Sequence, residues 1–89
     1  MKCSVQIRKN PTVLEYLAKR LNDCHSDWTD EGYIFRPSQS AIWERQNGVC
    51  TIRLFYRLDA RNNRSLLIRA RIVDNDLIEI DRVIRGAVG

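Results

Sequence analysis

The pair Cys24-His25 places a thiol next to an imidazole, the two groups that act together in cysteine-based nucleophilic catalysis. Adjacent residues at the end of a helix point in different directions, so these two side chains are poorly placed to form a hydrogen bond. The four glycines are scattered, and none forms part of a loop that suggests an oxyanion hole or a phosphate site. A core-facing thiol and a histidine that favours a helix C-terminal dipole explain the pair better. We therefore expect no catalytic residues and no enzymatic activity.

A metal site would need Cys3, Cys24, His25 and Cys50 to converge in the fold. None of these cysteines forms a Cys-x-x-Cys pair, and Cys3 and Cys50 occupy positions that alternate with polar residues, as core-facing strand positions do. The acidic stretch 27–31 lacks the spacing of an EF-hand loop. The sequence thus predicts no metal and no cofactor.

An N-terminal amphipathic helix is the clearest element of the sequence. Asn10-Pro11 combines a residue that caps free backbone N–H groups with a proline suited to the first helical turn. The apolar positions that follow have helical spacing and form one stripe: Val13, Leu14, Leu17, Ala18 and Leu21. We expect this helix to cover about residues 11–24.

Alternating apolar and polar residues predict six strands, at about 3–8, 33–36, 41–46, 50–58, 66–73 and 77–85. Asn47-Gly48 is a strong hairpin signal because both residues tolerate positive φ. The last segment also fits a helix, since Asp76 and Glu79 have capping-box spacing, but its isoleucines and valine favour a strand. The predicted fold class is α+β. One helix packs on a curved, mainly antiparallel sheet of five to six strands, in the order β-α-β-β-β-β-β.

Length, charge and cysteine count set further limits. A chain of 89 residues fits a single domain, here predicted to span 1–89. No apolar run approaches the roughly 20 residues of a membrane span, so we expect no membrane contact. Three cysteines cannot all pair within one chain, and no secretory signal is visible, which favours reduced thiols in the cytoplasm.

Positive charge is concentrated on the predicted meander. The net charge is +4, and seven arginines against two acidic residues give the stretch from Glu44 to Arg71 a local +5. If Ile52 and Leu54 face the helix, the alternate positions form an exposed sheet face rich in arginine and apolar residues. Together with an arginine of the preceding strand, these positions make up the candidate binding face: Arg45, Arg53, Phe55, Arg57, Leu67, Arg69, Arg71 and Val73.

Three interpretations of this face remain open. Arginine mixed with aromatic and aliphatic residues is typical of protein–protein and homodimer interfaces, which we favour. The same arginines could instead hold a nucleic-acid backbone while a base stacks on Phe55, or form a solvated face that pairs with Glu79 and Asp81. A separate possibility is a small-ligand or enzymatic pocket between helix and sheet, lined by three aromatic residues: Trp28, Tyr33 and Trp43.

Overall fold

The structure is a computed structural model that describes residues 2–4, 11–44, 46–74 and 77–87. It contains two α-helices, α1 (Pro11–Arg20) and α2 (Ser26–Glu31). It also contains six strands, namely β1 (Lys2–Ser4), β2 (Ile34–Phe35), β3 (Ala41–Glu44), β4 (Val49–Arg57), β5 (Asn63–Asp74) and β6 (Leu77–Ala87). Short 3-10 turns occupy residues 22–24, 37–39 and 46–48.

The strands form one open antiparallel sheet in the order β1-β6-β5-β4. β2 and β3 share the remaining edge of β4: β2 pairs with its C-terminal end, and β3 with its N-terminal half. The six strands therefore occupy five positions across the sheet. The α+β class and the antiparallel sheet are confirmed, whereas the curvature of the sheet stays a prediction.

The core lies between α1, α2 and one face of the sheet, which we call the inner face. Leu14 and Leu17 of α1, and Leu21 directly after it, are buried in one cluster with alternate residues of the strands, and Trp28 of α2 joins them. The main strand contributors to this cluster are Ile42, Cys50, Ile52, Leu54, Tyr56, Leu66, Ile68, Ala70 and Ile78. Because strand residues alternate between faces, the residues between these positions lie on the opposite, outer face.

The hairpin between β3 and β4 turns at Asn47 and Gly48, which have φ angles of 66° and 72°. Both angles lie in the left-handed region, where glycine and asparagine are accommodated most readily. This turn sets the register in which Ile42 faces Ile52, so that both residues reach the core.

The helical part of the chain differs from the sequence prediction. The predicted helix over 11–24 ends at Arg20, and a 3-10 turn follows at Asn22–Cys24. The stretch from His25 to Gly32, between the predicted helix and the strand predicted at 33–36, contains α2. Trp28 is the one buried side chain within α2, and Gly32 ends the helix with a φ of 101°. A helix this short depends on packing rather than on its own propensity, so its sequence pattern is weak.

The C-terminal segment forms a strand, β6, and pairs along β5 from Leu77 to Ala87. The register shifts between Arg69 and Ala70, where Arg69 faces Arg82 but Ala70 faces Ile80. The extra residue, Asp81, is left unmatched at this bulge, as is usual for an irregularity of this kind. Of the strand predicted over 3–8, residues 3 and 4 belong to β1 and the rest lie outside the described residues.

Candidate interaction surface

Four apolar side chains are exposed on the outer face. Leu67 of β5 and Ile84 of β6 are directly paired neighbours, each 41% exposed. Trp43 of β3 and Ile34 of β2 lie on the other edge of the sheet and are 40% and 64% exposed. Both helices pack against the inner face, so among the described residues no helix covers these side chains. An exposed group of large apolar residues on one face commonly marks an interaction site.

Phe55 lies on the predicted face of the sheet, but its side chain is less exposed than predicted. It lies on the outer face opposite Ser65, yet only 7% of its surface is exposed. The neighbours at i−2 and i+2 on the same face, Arg53 and Arg57, are half-buried, which is consistent with their aliphatic stems covering the ring. Phe55 therefore forms the floor of the outer face rather than a free stacking platform.

The side chain of Ser40, which follows the turn 37–39, binds the edge of β4 at Phe55. The Phe55 N–H donates to Ser40 Oγ (2.9 Å), and the Phe55 carbonyl accepts from the Arg36 N–H (2.8 Å). These bonds satisfy the backbone groups of Phe55 on the β4 edge between β2 and β3.

Two of the predicted arginines are anchored on the outer face. The Arg53 guanidinium lies 5.8 Å from the centre of the Trp43 ring, within the range of a cation–π contact. Arg57 Nε donates to Asn63 Oδ1 (3.0 Å) across β4 and β5. Contacts of this kind hold long side chains in place and lower the entropy lost when a partner binds.

The remaining predicted arginines lie nearer the bulge. Arg71 forms an ion pair with Asp81 (3.6 Å), and both side chains are about half exposed. Arg69 and Arg82 are exposed and face each other directly across β5 and β6. Neither has an ion-pair partner within the part of the chain that the structure describes. Like charges in directly opposite positions destabilise a sheet.

Of the other two predicted face residues, Arg45 lies outside the described residues and Val73 belongs to β5. The three aromatic residues predicted to line a pocket are separated. Trp28 and Tyr33 are buried in the core on the inner side, whereas Trp43 pairs with Thr51 and lies on the outer face. Trp28 packs edge-on against Tyr56 (5.5 Å between ring centres).

Arg85 of β6 connects α2 to the sheet through contacts with two residues of the helix. Its guanidinium lies 4.7 Å from the centre of the Trp28 ring and donates to Asp27 Oδ2 (2.6 Å). This hydrogen bond is the main reason that the pKa of Asp27 lies below its ordinary value. The contact joins two elements that are far apart in sequence and fixes the N-terminal turn of α2.

A cleft that is not predicted from the sequence lies on the inner side of the molecule, between α1, α2, the turn 37–39 and the sheet. His25 and Tyr56 are buried residues of its wall. A tyrosine at a core-facing position of β4, in line with Cys50, Ile52 and Leu54, was the available signal, because a buried hydroxyl needs a partner.

No helix in the described ranges is long and apolar enough to cross a membrane. Nor do three or more potential metal ligands come together among the described residues. No protein-family model matches the chain, and comparison with curated proteins and with solved structures finds no significant match.

Proposed function

We propose that this chain is a non-enzymatic interaction protein that forms a homodimer through its outer face. The observation that carries the proposal is the row of exposed apolar residues beside an arginine stacked on an exposed tryptophan. Leu67 and Ile84 supply the aliphatic part of this row, and Trp43 with Arg53 supplies the aromatic and cationic part. The centres of protein interfaces are enriched in aromatic residues and arginine in this way.

The size of the outer face suits a second copy. The Cα atoms span 37 × 21 × 21 Å, and β5 with 12 residues at about 3.4 Å each is about as long as the largest of these dimensions. The outer face therefore measures roughly 37 by 21 Å, or about 800 Å², which is about the area that each partner buries in a standard interface. A chain this short also buries a small share of its own surface, so burial of a sheet face adds usefully to its stability.

The charges of the outer face favour a partner with the same surface. Glu79 and Asp81 lie near the end of β5 that carries Arg71, whereas Arg57 lies near the other end, opposite Asn63. These ends are about 27 Å apart, since eight residues separate Asn63 from Arg71 at about 3.4 Å each. A two-fold axis in the interface plane, parallel to the strands, keeps equivalent ends together and so places Glu79 and Asp81 of one copy near the arginines at the same end of the other, rather than near Arg57.

Arg69 and Arg82, which face each other across β5 and β6, support a binding role for the end of the sheet that carries Arg71. Their arrangement costs stability in the isolated chain, and no described carboxylate offsets it. Contact with an acidic side chain of a second copy, such as Glu79 or Asp81, would remove that cost. Nucleic acid would remove it too, but the carboxylates and the exposed Leu67 and Ile84 on the same surface favour a protein partner.

Chromatography with light scattering tests the proposal through a matched pair of substitutions. Leu67→Asp places a charge in the centre of the proposed interface. Leu58→Asp makes the same change at a leucine of similar exposure, 43% against 41%, in the turn after β4. We expect the wild type and L58D to be dimers and L67D to be a monomer, with the dimer weakened at least tenfold, or about 1.4 kcal/mol.

A wild type that stays monomeric at high concentration would overturn the proposal, and so would an equal effect of the two substitutions. The nucleic-acid interpretation has its own signature. A monomer that binds a fluorescent oligonucleotide, with affinity falling steeply as salt is added, would replace the homodimer by a nucleic-acid complex at the same arginines.

A further inference from the structure

The cleft on the inner side of the molecule has the dimensions of a small-ligand site. Its volume is about 340 Å³, near the lower end of the range seen for small-molecule pockets. The lining residues fall into apolar walls (Ala18, Phe35, Pro37), polar groups of the helical part (Glu15, Lys19, Asn22, Thr29) and two buried rings (His25, Tyr56).

The hydrogen bonding of His25 fixes the role of each ring nitrogen. His25 is only 4% exposed, and its Nε2 lies 2.7 Å from the carbonyl oxygen of Ala18. A carbonyl oxygen can only accept, so Nε2 carries the hydrogen and donates it. In the neutral ring Nδ1 is then an acceptor, and this buried atom has no partner among the described residues.

Tyr56 offers the complementary group. The residue is 1% exposed, and its buried hydroxyl likewise lacks a hydrogen-bond partner in the described part of the chain. Burial is the main cause that holds the pKa of Tyr56 above its ordinary value, so the phenol remains protonated and able to donate. The Tyr56 ring is fixed by contacts with His25, Trp28 and Phe35, at 4.8, 5.5 and 5.4 Å between ring centres.

Two buried polar atoms without partners, on adjacent rings of one cleft, are unusual, because nearly all buried polar groups in native proteins are satisfied. One of them accepts and the other donates. A single hydroxyl group can serve both, since it donates one hydrogen bond and accepts others. Ala18, Phe35 and Pro37 provide apolar surface for the rest of such a molecule.

We propose that the cleft binds a small, mainly apolar molecule with one hydroxyl group, an alcohol or a phenol, which donates to His25 Nδ1 and accepts from the Tyr56 hydroxyl. The site lies on the side of the sheet opposite to the proposed dimer interface and is independent of it. Its occupant is recognised by two hydrogen bonds at the buried end and by shape elsewhere.

A pair of matched probes tests the proposal. In 4-ethylphenol the hydroxyl donates and accepts, whereas in 4-ethylanisole the ether oxygen can only accept. His25 is the only histidine of the chain, so its ring nitrogens give unambiguous signals in a long-range proton–nitrogen spectrum. We expect the free protein to show the hydrogen on Nε2, and 4-ethylphenol to shift the Nδ1 signal in a saturable way. We expect 4-ethylanisole to bind at least tenfold more weakly.

Tyr56→Phe removes the hydroxyl and leaves the ring, so it should weaken 4-ethylphenol binding at least tenfold. Tyr16→Phe makes the same change at an exposed residue of α1 that does not line the cleft, and it should leave binding unchanged. Equal affinity of the two probes, an unmoved Nδ1 signal at the solubility limit of 4-ethylphenol, or equal affinity of Y56F and wild type would each overturn the proposal. The monomeric L67D variant should bind 4-ethylphenol as the wild type does.

Discussion

Replacing Arg82 by glutamate should make the isolated chain more stable. Arg82 faces Arg69 directly across β5 and β6, and both side chains are exposed. Arg82→Glu removes a repulsion and creates an attraction, each worth about 0.2–1 kcal/mol for directly opposite strand positions. Exposure to solvent reduces both contributions, so we expect a gain of roughly 0.5–1 kcal/mol in the free energy of unfolding.

The assay is urea unfolding at protein concentrations below the dissociation constant of the dimer, where dimer formation does not contribute to stability. The gain should be large at about 0.01 M salt and nearly absent at about 1 M, because the screening length falls from about 30 Å to about 3 Å. A double variant with Arg69→Glu as well restores a like-charged pair and should lose the gain. In the otherwise unchanged chain, Arg82→Glu should weaken the dimer.

A loss of stability in R82E, a gain that persists at high salt, or simple additivity in the double variant would refute this reasoning. Any of these results would mean that the two arginines do not interact across the strands. The pair would then give no support to a binding role for this end of the sheet.

Three further predictions concern the inner side of the molecule. Tyr56→Phe should raise the free energy of unfolding by about 1 kcal/mol in urea, because it removes a buried hydroxyl that lacks a partner. Asp27→Asn should reduce the loss of folding stability at low pH. Arg85 lowers the pKa of Asp27, so the stabilisation from the Asp27 carboxylate is complete above the ordinary pKa of 3.8 and disappears as the pH falls through the lowered pKa. Gly32→Ala should lower the melting temperature, with a loss of roughly 1–2 kcal/mol, because φ is 101° and the new Cβ would lie 3.3 Å from Leu58 Cδ1.

The sheet could be predicted from the sequence because apolar and polar residues alternate along much of β4 and β5. In β4 the residues Cys50, Ile52 and Leu54 are fully buried, as their spacing predicts, and the arginines between them lie on the other face. Alternation gives the direction of a side chain but not its exposure, which depends on neighbours in three dimensions. Phe55 shows this difference, since it lies on the predicted face and is nevertheless buried.

Features that depend on tertiary contacts could not be predicted. The helix α2 has a single buried residue, Trp28, and is held by the contact with Arg85, far along the chain. The separation of Trp43 from Trp28 follows from the register of the β3–β4 hairpin, which pairs Trp43 with Thr51. The cleft at His25 forms where α2 and the turn 37–39 approach α1, so the sequence signals it only through the core-facing Tyr56 of β4.

Contacts between protons of two copies would locate the interface directly. In an isotope-filtered NMR experiment on a mixture of labelled and unlabelled chains, we expect intermolecular cross-peaks from the methyl groups of Leu67 and Ile84 to the ring of Trp43. Cross-peaks that instead involve Tyr16 on the exposed side of α1, or a spectrum with none at concentrations where dimers should predominate, would contradict the assignment of the outer face as the surface through which this protein acts.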